Sequence, residues 1–210
     1  MKLLTFALIA ALLAGCTAKQ AVPDYETPPD TTPDGLVKTD NEFFDLVYIR
    51  PETDLKRFTK LQIRPIAVTY GKQDPDFRLN ENQQRRVSDA FARAFSRAMT
   101  EDGRFTLTDA PGPGVLRFNI ALAELTVSAQ RVGDSDQAHL HLEQAGRITL
   151  VAEAVDSVSG HALVRGRDTR VLEGDKRTST VQQHLALEVG DVFRAWADEL
   201  RSGIDQLSLN

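Results

Sequence analysis

The sequence predicts an α+β domain, a two-layer sandwich in which a mostly antiparallel sheet of four or five strands carries two helices on one face. Three observations predict it. Two long segments, Asn80 to Glu101 and Thr180 to Leu207, place apolar residues at three- and four-residue steps, the spacing of a helix with one buried stripe. Between them lie runs whose apolar residues alternate with a period of two, as in strands with one buried face. Striped helices and one-faced strands are both satisfied when the helices share one side of a sheet.

The elements follow in chain order. Phe44, Leu46 and Tyr48 alternate ahead of Arg50-Pro51, and Leu61, Ile63, Ile66 and Val68 form an apolar strand interrupted by Pro65. Proline lacks the ladder donor, so it marks an edge or a bulge there. In the first helix Val87, Phe91, Ala94, Phe95, Ala98 and Met99 make the stripe, Arg86, Arg93 and Arg97 lie off it, and Gly103 is the stop. In Val115 to Ala129, Leu116, Phe118, Ile120 and Leu122 share a face, whereas Ala123, Leu125 and Val127 take the other parity. Such a phase slip marks a β-bulge. From His139 to Asp156 a single parity runs through Leu140, Leu142, Ile148, Leu150, Ala152 and Ala154, with Gly146 interrupting. Asp156-Ser157-Val158-Ser159-Gly160 has turn chemistry, and Ala162 to Leu172 returns as the second arm of a hairpin. Leu185, Val189, Val192, Phe193, Trp196, Leu200, Ile204 and Leu207 stripe the last helix, which assigns Trp196 to the core.

Ahead of this domain, residues 17–34 hold Pro23, Pro28, Pro29 and Pro33, four of the nine prolines, with Asp24, Glu26, Asp30 and Asp34. With almost no large apolar residue to bury, the segment reads as a flexible tether. Its eighteen residues would reach roughly 55 Å as polyproline II. The domain itself is expected over residues 35–210.

Composition narrows the function. Without residues 1–15, which carry Lys2, 24 basic and 30 acidic side chains remain, a net charge of -6. That balance offers no field for nucleic acid, which needs clustered cations. A single cysteine excludes an internal disulfide. It follows a charged start, Met1-Lys2, and an apolar run, Leu3 to Leu13, that has about half of the ~20 residues a spanning helix needs. The run ends in Leu13-Ala14-Gly15-Cys16, which resembles the lipobox of bacterial lipoproteins. The resemblance implies a signal peptide over residues 1–15 and Cys16 as the lipidated residue, carrying a covalent diacylglycerol and an N-acyl (palmitate) lipid. Each buried methylene contributes ~0.8 kcal/mol, so such chains anchor stably. Residue 17 is Thr, whereas an Asp there resembles an inner-membrane retention signal. The expectation is therefore a lipid-anchored outer-membrane protein facing the periplasm.

Short motifs in a fixed order carry a second resemblance. Asp34-Gly35-Leu36, Tyr48-Ile49-Arg50-Pro51, Asp54-Leu55 and Ile63-x-Pro65 are followed by Val155-Asp156 before Gly160, then Trp196-Ala197 with Leu200-Arg201. Together they resemble the uncharacterised bacterial lipoprotein family of domain of unknown function 3313. That implies an envelope lipoprotein and transfers no catalytic residue.

A few residues could carry chemistry. His139, His141 and Glu143 alternate along one expected strand and could present two imidazoles and a carboxylate to a metal, but with no other convergent ligand a simply polar outward face is the preferred reading. Arg165, Arg167 and Arg170, followed by Lys176 and Arg177, could meet an anion or a partner; pairing with Glu143 or Glu153 on the neighbouring strand is the preferred reading. His161 and His184 fall at a turn and near a helix start. No G-x-S-x-G, H-E-x-x-H, P-loop or G-x-G-x-x-G occurs, and Gly112-Pro113-Gly114 reads as a turn. The expectation is no enzyme and no cofactor beyond the lipid. The chain reads as a binding, accessory or scaffold module for an envelope protein or cell-wall partner. The alternatives are a self-assembling structural subunit and, third, a periplasmic hydrolase or metal-binding protein. Oligomeric state is left open.

Overall fold

The computed structural model describes residues 27–70, 80–126, 130–132, 139–141, 146–172 and 181–209. In chain order the elements are β1 (Val37–Thr39), β2 (Leu46–Ile49), β3 (Lys60–Ile63), β4 (Ala67–Tyr70), α1 (Glu81–Thr100), β5 (Thr106–Leu107), β6 (Val115–Thr126), β7 (Gln130–Val132), β8 (His139–His141), β9 (Gly146–Asp156), β10 (Ala162–Leu172) and α2 (Val181–Leu209). The α+β class is as expected, but the sheet differs. It has eight strands in the order β1-β2-β10-β9-β6-β3-β5, with β4 also beside β6. The pairs from β1 to β6 are antiparallel, whereas β3 with β5, β3 with β6 and β4 with β6 are parallel. The four or five mostly antiparallel strands of the sequence reading are thus corrected to a mixed sheet. The cause is α1: it carries the chain back along the sheet, so the strands after it point the same way as those before it.

Pro65 explains why β3 and β4 are separate. Both lie along β6, and the gap is bridged by Arg64 donating its amide to the Phe118 carbonyl at 3.0 Å. The expected bulge in β6 falls at Glu124. Pairing with β9 shifts register between Ala123 and Thr126, and Glu124 has a left-handed φ of 54°. Around Asp156 the hairpin closes as its residues dictate: Gly160, at φ 75°, donates to the Asp156 carbonyl, while the Asp156 carboxylate accepts the amides of Val158 and Ser159. The expected strand from His139 to Asp156 is divided. Its first part, β8, pairs with β7 in a separate two-stranded sheet, and β9 starts at Gly146.

Both helices cover one face of the sheet. Phe91, Phe95, Ala98 and Met99 of α1 join Phe193, Trp196, Ala197 and Ile204 of α2 in one core over Leu116, Phe118, Ile120 and Leu122 of β6 and Ile148 and Leu150 of β9. Phe91 meets Phe193 edge-on at 5.1 Å and Phe95 meets Phe118 at 4.9 Å, geometries worth ~0.5–1.5 kcal/mol each beyond their burial. Arg86, Arg93 and Arg97 are exposed, as the stripe requires. The side chains of Leu185 and Val189 lie outside the described residues.

The opposite face holds a smaller cluster, Leu36, Tyr48 and Ala162, with Leu46 against it. This cluster anchors residues assigned by sequence to the tether. Pro29 accepts the Tyr48 hydroxyl at 2.9 Å, Lys38 donates to the Asp30 carbonyl, and Thr31 bridges Val37. Thr32, 3% exposed, exchanges hydrogen bonds with Leu36 around Gly35, whose φ is 86°. Residues 29–34 therefore form a hairpin clasped to the domain rather than the end of a tether. Backbone and hydroxyl hydrogen bonds hold most of it, and these leave no trace in apolar patterning.

Candidate functional site

Of the sequence candidates, Cys16 and Glu143 lie outside the described residues, as do Lys176 and Arg177. His139 and His141 lie on β8, opposite Val132 and Gln130, with their side chains likewise outside. His161 is exposed at the hairpin turn. Among the described residues, no group of three His, Cys, Asp or Glu is placed to hold a metal ion.

The three arginines do not form one site. Strand alternation puts Arg165 and Arg167 on the face away from the helices and Arg170 on the helix side. Arg165 contacts Glu153 at 2.7 Å and Asp34 at 3.0 Å, and Glu153 also accepts from the Asn119 amide at 3.1 Å. Burial pulls the Arg165 pKa down, but its hydrogen bonds to Glu153 and Asp34 outweigh that and hold it above the ordinary range. Arg167 reaches Glu124 at 3.3 Å, and the bulge that turns Glu124 also lets it accept from the Thr149 hydroxyl. Arg170 donates to Asp168 at 2.8 Å and to both oxygens of Glu199. Pairing with Glu153 is thus realised for Arg165, and no shared anion pocket is built from the three.

Arg170 belongs to a buried polar knot. Asp168, 5% exposed, also accepts the indole N–H of Trp196 at 2.6 Å and the backbone amide of Asp45 at 3.3 Å. Trp196 is fully buried, so its assignment to the core holds, with a polar partner the stripe did not disclose.

Beyond this knot a cavity of about 240 Å³ lies between the second half of α2 and the sheet. Its floor is Ala152 and Ala154 of β9 with Gly166 of β10, its deep end is Phe118, and Leu200, Ile204 and Leu207 of α2 form one wall. Val47 and Ile49 of β2, with Phe44 from the loop before it, form the other. Small floor residues create the space: β9 points Ile148 and Leu150 at the helices, then Ala152 and Ala154. Gly203 continues the hollow in the helix itself, where an added Cβ would meet nothing within 4 Å. Polar residues gather at the rim as Asp40, Asn41, Gln206 and Glu199, and the described lining contains two carboxylates and no Lys or Arg.

An apolar chamber of this kind is the commonest form of a small-molecule site, although it is smaller than the usual ~300–1,000 Å³. Sequence reading did not find it, because a cavity is made by side chains that are missing. The available signal was Gly203 inside the Leu200, Ile204, Leu207 stripe.

Solved structures with a similar outline include a DUF330-family protein from Xanthomonas campestris, at 14% identity over 73% of this chain and 86% of that one, with a TM-score of 0.46. A minor lipoprotein from Acinetobacter baumannii aligns at 13% identity over 70% and 92%, TM-score 0.41. A neuraminyllactose-binding hemagglutinin homologue from Helicobacter pylori aligns at 12% over 75% and 91%, TM-score 0.42. No curated protein matches this chain in sequence. A family model described as a protein of unknown function, DUF3313, matches residues 33–200.

Proposed function

The chain belongs to the DUF3313 family of proteins of unknown function, and from that premise we propose that it is an outer-membrane lipoprotein whose periplasmic domain is a non-enzymatic binding or accessory module of an envelope complex. The observation that carries the reading is the leader, a charged start and a short apolar run ending in Leu13-Ala14-Gly15-Cys16. Thr17 supports the outer membrane as destination. With residues 29–34 held by the domain, residues 17–28 are left as the link from the anchor, roughly 37 Å as polyproline II. The partner proposed for the domain is an envelope protein or a cell-wall component.

The experiment is a Cys16→Ser variant expressed in cells of the source type. It should accumulate as an unprocessed precursor without labelled palmitate, and in-cell crosslinking should lose the partner species seen with wild type. Normal processing and an unchanged crosslinking pattern would overturn the proposal.

A further inference from the structure

We infer that the cavity under the second half of α2 binds a single alkyl chain bearing an uncharged head group. Gly203 sits in the interior of α2. Glycine in a helix interior weakens the helix, and this one lies on the cavity side, between Leu200 and Leu207, with nothing within 4 Å of the place its Cβ would occupy. A larger side chain would find open space on this side and would strengthen α2. On the sheet side Ala152 and Ala154 line the cavity with side chains of one carbon each, while the place of a Gly166 side chain is taken by the Phe44 ring, 3.5 Å from where its Cβ would sit. A volume of about 240 Å³ exceeds the ~150 Å³ at which an apolar engineered cavity already takes up benzene. Water is a poor occupant, because the deep part offers it few polar partners.

The rim sets the head group. Asp40 and Glu199 are the charged residues of the described lining, and Glu199 already holds Arg170. With Glu199 compensated by Arg170, a carboxylate or phosphate at the mouth would meet the Asp40 carboxylate with no cation among the described lining residues. Asn41 and Gln206 offer amides to hydroxyls instead. An alkyl chain ending in hydroxyls fits both halves. This inference stands independently of the lipoprotein reading: a domain with another address would keep the cavity, and a lipoprotein could lack a ligand.

The test uses the full chain carrying Cys16→Ser, which keeps all 210 residues. The probes are 1-decanoylglycerol and, as the charged counterpart, decanoate, with affinity read by calorimetry and location by methyl NMR. 1-Decanoylglycerol should bind saturably and shift the methyl signals of Leu200, Ile204 and Leu207, and decanoate should bind roughly tenfold more weakly. Gly203→Leu should raise Tm and weaken binding of the neutral probe by tenfold or more, roughly the loss expected when the site is filled. Gly203→Ala should also raise Tm but keep most of the binding. If Gly203→Leu does not fold, Ala154→Leu fills the cavity from the sheet side and serves in its place. No saturable binding, methyl shifts confined to other sites, or a filled variant that binds like wild type would overturn the inference. Equal affinity for decanoate would overturn the head-group assignment.

Discussion

The two ends of β9 face the same helical layer and are treated in opposite ways. At one end Ile148 and Leu150 are fully buried in the core. At the other end Ala152 and Ala154 are also buried, yet they line a hollow that Leu200, Gly203 and Leu207 do not fill. Burial alone therefore does not distinguish a packed core from a container wall. Side-chain volume does. The filled end maximises dispersion contacts and fixes the helices; the hollow end forgoes some of those contacts, at ~24 cal/mol per Å³ of void.

Opening the filled end should have the largest effect. Phe95→Ala removes a fully buried ring that packs on Phe91 and Phe118, and the expected loss is about 3–5 kcal/mol in chemical denaturation. A loss below about 1 kcal/mol would erase the contrast between the two ends. Next comes the boundary between them. Asp168→Ala strips the Trp196 indole and the Arg170 guanidinium of a shared acceptor. Because Arg170 keeps Glu199, the expected loss is about 2–3 kcal/mol rather than the full value for an isolated buried charge. An unchanged Tm would show that the knot contributes nothing to holding α2.

The smallest effect belongs to the face away from the helices. Burial raises the pKa of Asp34, but Thr32 and Arg165 outweigh it and leave the carboxyl below its usual value. A carboxyl with a lowered folded-state pKa stabilises above the unfolded value and loses that contribution as pH falls through the folded one. Asp34→Asn should thus cost under about 1 kcal/mol at pH 7, given the exposure of the pair. The gap to wild type should close as pH drops below about 4. A pH-independent gap would mean that the charge of Asp34 is irrelevant to the clasp.

What sequence could disclose follows the same division. The stripes of α1 and α2, the bulge at Glu124 and the turn at Asp156 to Gly160 were legible because each is written in side chains that are present with a definite period or turn chemistry. The family could be recognised from ordered short motifs, and the match over residues 33–200 agrees with it. The parallel half of the sheet was not legible, since strand direction depends on where α1 returns the chain and not on any property of β3 or β6. Residues 29–34 were misread because hydroxyl and main-chain hydrogen bonds, not apolar side chains, secure them. The cavity was invisible for a related reason: Ala152 and Ala154 satisfy the alternation as well as Leu would, and only their size differs.

The clasp at residues 29–38 also decides how a pull from the N-terminal side would be received. Tension entering at Pro29 is applied first to the Tyr48 hydroxyl, then to the Asp30 carbonyl and the bridge from Thr31 to Val37. Tyr48 belongs to β2, which is held on its other edge by β10 through four residues from Val164 to Arg167. One of these contacts reaches past the outermost strand to β2, whereas the other two end on β1, the edge strand itself. The bonds of the clasp would break one after another, as in an unzipping hairpin, before β2 itself was strained. The attachment should then act as a mechanical fuse, and force spectroscopy pulling from residue 27 should show a small early release separate from the unfolding of the core.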